Sequence, residues 1–322
     1  MSQRTYNVAV LGLGAVGQRM LDQTAQHPQF QVVAGFDIAE SARAHTAQHY
    51  PSVKLCASAE EAIADPRVDI VYVATPPLYH AALCRTCIVH RKAVFCEKPL
   101  GVDLDDSAKL VSEIKAAGLP EAVNFVFASA PAVDVLESRI NNATFGLRQV
   151  HIRLHFHRWP RPFQAHAPWL SGSAQGGFTR EVTSHFVYLL SRLLGRVELR
   201  SVQGVRSHAD MAEESLMAHL SAGGIPVSLV ASTGGQPKEI VSAHFIGEQT
   251  SLCLNNWYSL LQCDAEHPDG LSLAHDLDPR TTTYQAQLSQ VAAMMQGETH
   301  RLPNFQTAFE VQQIVEQMLI EV

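Results

Sequence analysis

A chain of 322 residues, 46% hydrophobic and 17% charged, is long for one core and has the apolar material for two packed interiors. Its formal charge of -7 and pI near 6.1 exclude a phosphate backbone as main partner, because such binding runs on clustered Lys and Arg; no nucleic acid is expected. No apolar run reaches the ~18 residues of a membrane-spanning helix, and three glycines interrupt the stretch after Arg4 with no cleavage pattern following, so the expectation is a cytoplasmic protein with no membrane partner.

Tyr6 to Leu11 is a short apolar run followed by Gly12-Leu13-Gly14-Ala15-Val16-Gly17 and a helical pattern to about Gln26. This reads as strand, tight turn and helix. The first glycine permits the turn, the second lets a pyrophosphate approach the backbone, and the third lets helix and strand pack closely. The helix N-terminus, with Ala15 and Val16, then offers N-H groups to phosphates. A second strand, Gln31 to Phe36, ends in Asp37, 20 residues beyond Gly17, the distance at which a carboxylate meets the ribose hydroxyls of an adenosine. A carboxylate there repels a 2'-phosphate. Ile38-Ala39-Glu40 adds no cation and Arg43 stands a helical turn further on, so NAD is favoured over NADP.

The alternation continues with a helix from Ser41 to His49, a strand near Val53 to Cys56, a helix around Glu60 to Ala64 and a buried strand from Ile70 to Ala74. Thr75-Pro76-Pro77 ends that strand, since two prolines cannot continue a ladder. The chain must turn out at the carboxyl edge of the sheet, where ligands sit in open α/β folds. His80 heads the next helix, Tyr79 to His90, as a packing residue or a cofactor contact. The strand Ala93 to Cys96 delivers Glu97-Lys98-Pro99 to the same edge, and a helix from Leu104 to Ala117 and a strand from Glu121 to Phe127 follow. Strands separated by crossover helices imply an α/β fold with a doubly wound parallel sheet. Six scattered cysteines are too few for a disulfide framework; Cys84-x-x-Cys87 has half-site spacing for metal or redox chemistry, or simply packs a helix.

These residues, Gly12-x-Gly14-x-x-Gly17, Asp37, Ala74-Thr75-Pro76-Pro77-x-x-His80 and Glu97-Lys98-Pro99, resemble the glucose-fructose oxidoreductase / inositol dehydrogenase / MocA (Gfo/Idh/MocA) family of NAD(P)-dependent oxidoreductases. The resemblance implies an N-terminal Rossmann domain over 1-125 and a substrate-binding and oligomerisation α+β domain over 126-322, whose last helix packs back on the first. It places Lys98 beside the nicotinamide, on the substrate's reacting oxygen, with Glu97, Thr75, Pro76 and His80 around the cofactor. Asn124 keeps the family's Asn, without the arginine that usually follows. The family's Gly-Gly, Asp and His become Gly176-Gly177, Glu181 and His185, with Thr183 where a glycine is usual. Glu181 and His185 are four residues apart on one helix and share a face.

In the second half, Val150, Ile152, Leu154 and Phe156 alternate with His151, Arg153, His155 and His157, the period of a half-exposed strand. The histidines suit a polar sheet face or subunit contact; a metal site is the other reading, and no metal is expected. A proline-rich connection follows, with Trp159 and Trp169 as candidate substrate contacts in a lid, or as anchors of a surface loop. The helix Thr179 to Leu194 carries an apolar stripe opposite Glu181, His185 and Tyr188. Strands at Val197 to Val205, Glu214 to Ser221, Val227 to Ser232, Ile240 to Ile246 and Ser251 to Leu254, then helices Thr282 to Met295 and Thr307 to Leu319, complete the chain. They predict a large, mostly antiparallel, open-faced sheet through which the chain forms a homodimer or homotetramer.

The expected activity is hydride transfer between a nicotinamide and a secondary alcohol or ketone of a sugar, cyclic polyol or related small molecule. Lys98 polarises the oxygen, His185 moves the proton, and Glu181 orients a partner or binds a hydroxyl. Glu181 also leaves open an imine reductase or amine dehydrogenase acting on a cationic nitrogen. A non-catalytic dinucleotide-sensing regulator is the third reading.

Overall fold

The structure is a computed structural model that describes residues 4-235, 238-273 and 276-320. It divides into two compact units, Met1–Phe125 with Tyr284–Phe309 and Val126–Thr283 with Glu310–Val322.

In the first unit the apolar runs become β1 (Tyr6–Leu11), β2 (Phe30–Phe36), β3 (Lys54–Leu55), β4 (Ile70–Val73), β5 (Ala93–Glu97) and β6 (Glu121–Asn124). All pair in parallel, in the order β3-β2-β1-β4-β5-β6. The crossovers are α1 (Ala15–Ala25), α2 (Glu40–His49), α3 (Ala59–Ala64), α4 (His80–Val89) and α5 (Leu104–Ala117). Local chemistry sets their ends: the side chain of Ser58 accepts from the Glu61 N-H, that of Asp103 accepts from the Asp106 N-H, and Gly118 closes α5 at φ +60°. Strand order reverses between β1 and β4, so their carboxyl ends form the switch point at which such sheets bind ligands. The strand expected to run to Phe127 stops at Asn124 and passes into a 3-10 turn, Val126–Ala128.

The second unit opens with α6 (Pro131–Ile140), which the sequence pattern did not reveal. Its sheet holds β7 (Gln149–Phe156), β8 (Val197–Val205), β9 (Ser215–Ala222), β10 (Ile225–Thr233), β11 (Ile240–Ile246), β12 (Ser251–Asn255), β13 (Ser259–Cys263) and β14 (Leu271–Ser272). Spatial order is β14-β13-β12-β11-β7-β10-β9-β8; β7 and β10 are parallel and every other neighbouring pair antiparallel. The strands β13 and β14 add to those read from the pattern. Val150, Ile152, Leu154 and Phe156 are buried on the inner face, while Met217 and Val230 stand exposed on the outer one. The period of two thus survives into the sheet as a dry face and a wet one. His155 departs from it: it is buried, with its Nδ1 2.9 Å from the Ser232 hydroxyl.

The helix expected over Thr179 to Leu194 is two pieces, a π-helical turn Thr179–Thr183 and then α7 (Ser184–Leu194). It is buried on nearly every side, His185 and Tyr188 included, rather than along one stripe. The chain closes with α8 (Pro279–Gln296) and α9 (Phe305–Ile320). Residues of α8 from Tyr284 onward belong to the first unit, where Leu288 and Val291 are buried.

Candidate functional site

The glycine turn is built by close approach. Gly12 has φ +88°, and a Cβ there would lie 2.5 Å from the Ala74 carbonyl oxygen. A Cβ at Gly17 would strike the Gly12 carbonyl. At Gly14 a Cβ would meet nothing within 4 Å, and Gly14, Ala15 and Val16 are exposed at the start of α1, which has no side-chain cap. Uncapped helix N-H groups beside open space are the chemistry a pyrophosphate requires.

Asp37 sits at the end of β2 with both carboxylate oxygens engaged, Oδ2 accepting from Leu13 N-H at 2.7 Å and Oδ1 from Ala39 N-H at 2.7 Å. Each oxygen keeps acceptor capacity for a ribose hydroxyl. Arg43 is closer to this edge than helical spacing implies. Its Nη1 donates back to the carbonyls of Asp37 and Ile38, at 2.5 and 3.1 Å, bringing a guanidinium to the loop that the sequence reading left without a cation.

His80, fully buried, has Nδ1 2.9 Å from the Pro99 carbonyl oxygen and Nε2 2.8 Å from that of Thr75. Burial pushes its pKa down, while the two carbonyl acceptors favour the doubly protonated ring. Set between these two carbonyls, His80 links the loops after β4 and β5. The Thr75 hydroxyl beside it is buried and has no hydrogen-bond partner among the described residues, as fits an edge built to receive a ligand.

Lys98 follows β5 and is 9% exposed. Glu97 before it is tied down. Its carboxylate accepts from the Tyr72 hydroxyl and from Asn124 Nδ2 (2.6 Å); the same Nδ2 reaches the Tyr72 oxygen at 3.2 Å, and Gln287 Nε2 donates to Asn124 Oδ1 at 2.5 Å. Burial first, and the Glu97 charge second, push the Tyr72 phenol well above its ordinary pKa. The Asn124 amide thus anchors Glu97 on one side and receives Gln287 on the other.

On the second unit, Gly176-Gly177 has a packing reason. A Cβ at Gly176 would lie 2.5 Å from the Leu170 carbonyl oxygen, and one at Gly177 (φ +95°) would run into the Glu213 carboxylate. Glu213 is 2% exposed and accepts from Thr179 N-H at 2.6 Å, capping the π turn; burial pushes its pKa up and the Thr179 bonds pull it down. Arg180 pairs with Glu316 through two 2.7 Å bonds. The start of the helix carrying Glu181 and His185 is thus held from two sides.

Glu181 and His185 meet different neighbours. The Glu181 Oε1 accepts from Gln164 Nε2 at 3.0 Å and stands 3.7 Å from Arg161 Nη2. The His185 ring, 8% exposed, makes edge contacts with Phe127 (centroids 6.2 Å, 78°) and Trp257 (5.3 Å, 90°). Trp159 donates its indole N-H to the Leu170 carbonyl at 2.9 Å and packs on Phe156 and Phe178; Trp169 is half-buried, its carbonyl accepting from the Gly172 N-H at 3.2 Å. Arg161, Gln164 and Trp257 were not singled out from the sequence. The Asn255-Asn256 pair, a turn signal ahead of an apolar run, could have exposed the hairpin that carries Trp257.

Among the described residues, no group of three or more His, Cys, Asp or Glu is arranged to hold a metal ion, and no helix is long and apolar enough to cross a membrane. Cys84 and Cys87 are buried thiols with pKa values raised well above the ordinary range.

Residues 6-125 match the family model described as an oxidoreductase family with an NAD-binding Rossmann fold. The chain is 32% identical over 141 residues to an inositol 2-dehydrogenase of Mycolicibacterium smegmatis, covering 43% of this chain and 41% of that protein. It is 35% identical over 126 residues to a trans-1,2-dihydrobenzene-1,2-diol dehydrogenase of Macaca fascicularis, covering 38% and 37%. The chain thus spans about two fifths of the length of these curated relatives. Among solved structures, the WlbA dehydrogenase from Bordetella pertussis, in complex with NADH and UDP-GlcNAcA, superposes with a TM-score of 0.81 at 19% identity, covering 100% of this chain and 97% of that one, a likeness of fold. The likeness to the Gfo/Idh/MocA oxidoreductases is thus carried by residues 6-125.

Proposed function

We propose that this chain is an NAD(P)-dependent dehydrogenase that transfers a hydride between nicotinamide and a secondary alcohol or ketone of a sugar, cyclic polyol or related small molecule. The observation that carries the reading is a continuous chain of contacts at one sheet edge. Gly12 abuts Ala74 and Thr75, His80 joins the Thr75 and Pro99 carbonyls, and Lys98 precedes Pro99. The one flexible amine on that chain is therefore presented by the loop that is braced to the nucleotide turn. Two curated relatives named as dehydrogenases of inositol and of a dihydrobenzene diol support the substrate class.

Gly12, Gly14 and Gly17 with the start of α1 would hold the pyrophosphate, and Asp37 the adenosine ribose, favouring NAD over NADP. A bound nicotinamide supplies the hydride chemistry. The protein places the carbinol carbon and moves one proton. In this reading the ammonium of Lys98 hydrogen-bonds the reacting oxygen, His185 exchanges the proton, and Glu181 orients a substrate hydroxyl.

The test is Lys98→Ala, assayed with NAD and NADP against a panel of polyols, sugars and amines. Turnover should fall by at least about 10³-fold, the scale of a lost electrostatic and acid-base group, with NAD affinity nearly intact by fluorescence titration. Activity within tenfold of wild type would show the centre to be misassigned.

A further inference from the structure

We propose that Arg161, with Gln164, is a positioning and specificity-determining residue that satisfies the charge of Glu181, so that the protein accepts an uncharged hydroxyl-bearing substrate and turns away a cationic amine. The inference rests on the reading of Glu181 as a substrate-orienting group.

The glutamate is what makes the arrangement possible. Its Oε1 accepts from Gln164 Nε2 at 3.0 Å and lies 3.7 Å from Arg161 Nη2. An aspartate, shorter by one carbon-carbon bond of ~1.5 Å, would leave the Gln164 amide beyond hydrogen-bond range. The extra methylene is therefore used in reaching the loop after β7. That loop in turn holds the guanidinium still. Arg161 is 9% exposed, its charge lies over the rings of Phe156, Trp159 and Phe163 at 5.5, 5.6 and 4.7 Å, and its Nε donates to Gln164 Oε1 at 3.0 Å. Gln164 closes the circuit by accepting from Arg161 and donating to Glu181. A carboxylate flanked by a caged cation does not need a second one, and an ammonium brought to Glu181 meets the repulsion of Arg161. The proline-rich connection thereby acquires a role: its Trp159 and Phe163, with Phe156 of β7, are the cage of the arginine that neutralises Glu181.

The experiment compares wild type, Arg161→Met, Glu181→Gln and the double variant. It measures kcat/KM on the most active polyol or sugar of the panel and inhibition by cyclohexylammonium. Each single change should cost about tenfold in kcat/KM, and the double variant should be no worse than the weaker single one by more than about threefold, the signature of groups acting as a unit. Arg161→Met should also bind cyclohexylammonium about tenfold more tightly than wild type, a gain that a merely structural arginine does not produce. Should Arg161→Met fail to fold, Gln164→Leu, which keeps the arginine and its cage, should show the same coupling to Glu181→Gln. Losses that multiply in the double variant, or unchanged amine inhibition, overturn this proposal alone. A Glu181→Gln enzyme with unchanged kcat/KM overturns the reading of Glu181 beneath it.

Discussion

Trp257 meets His185 edge to face, with ring centroids 5.3 Å apart and planes at 90°. The residue making this contact has an unfavourable backbone. Asn256 and Trp257 occupy the centre of the hairpin turn between β12 and β13 with φ of +48° and +75°. Glycine and asparagine suit such positions, and a left-handed conformation costs other residues about 1-2 kcal/mol. The strain is held in place by the rings on either side, Phe127 at 5.8 Å and Phe186 at 5.9 Å. Backbone strain that persists against a histidine points to a function.

Trp257→Gly should therefore separate backbone from ring. The turn becomes easier for the chain, while the wall against His185 is lost. We predict a fall of about tenfold in kcat/KM, the scale of a misplaced catalytic group, with Trp257→Phe intermediate and NAD affinity unchanged. Steady-state kinetics of the three proteins decide it; wild-type kcat/KM in the glycine variant would show that the indole does not position His185.

A second prediction concerns the cofactor edge, where the proposed reading has the Asp37 carboxylate favour NAD and the nearby Arg43 guanidinium favour NADP. Asp37→Ser removes the carboxylate and should raise the KM for NAD about tenfold or more, the value of charge-assisted bonds to the ribose. It should also lower the KM for NADP, since the guanidinium at the Asp37 and Ile38 carbonyls is then unopposed. Adding Arg43→Ala should erase that gain. KM values for both cofactors in wild type, the single variant and the double variant suffice, and NADP use that ignores Arg43 would contradict the assignment.

Glu121 supplies a pH dependence. Burial pushes its carboxyl up to about 7 from an ordinary 4.5, although the Phe305 N-H that it accepts at 2.7 Å pulls the other way. Between those values the folded protein binds more protons than the unfolded chain, so the slope of stability with pH is negative. Stability contributed by the protonated group is full below about 4.5 and is lost as pH rises through about 7. Glu121→Gln keeps an acceptor for Phe305 and cannot ionise. Thermal unfolding from pH 5 to 8 should show a flatter profile for the variant and a higher Tm at pH 8; parallel profiles would exclude Glu121 as the cause.

Much of the nucleotide half was legible because its signals are local. A strand, a turn that only glycine permits at Gly12, and a helix follow one another within twenty residues, and Asp37 and Lys98 lie directly past the ends of their strands. Alternation with crossover helices then orders these strands in one parallel sheet, so the edge on which the residues converge follows from pattern alone. The second half was legible only as strands and helices. Its short β13 and β14 and the π turn before α7 left no periodic trace long enough to read.

What the sequence by itself determined was thus which residues are candidates for the chemistry, Lys98, Glu181 and His185, and the glycine turn and carboxylate suited to a dinucleotide. What only the tertiary structure decided was the company each keeps. Asn124 is bound to Glu97, Arg43 returns to its own loop, Glu181 meets Arg161 from a segment about twenty residues earlier, and Trp257 reaches His185 from a hairpin far along the chain. Spacing along a chain specifies which side chains share a strand end or a helix face, but the partner that fixes a side chain's charge and direction arrives through packing, which has no period in sequence.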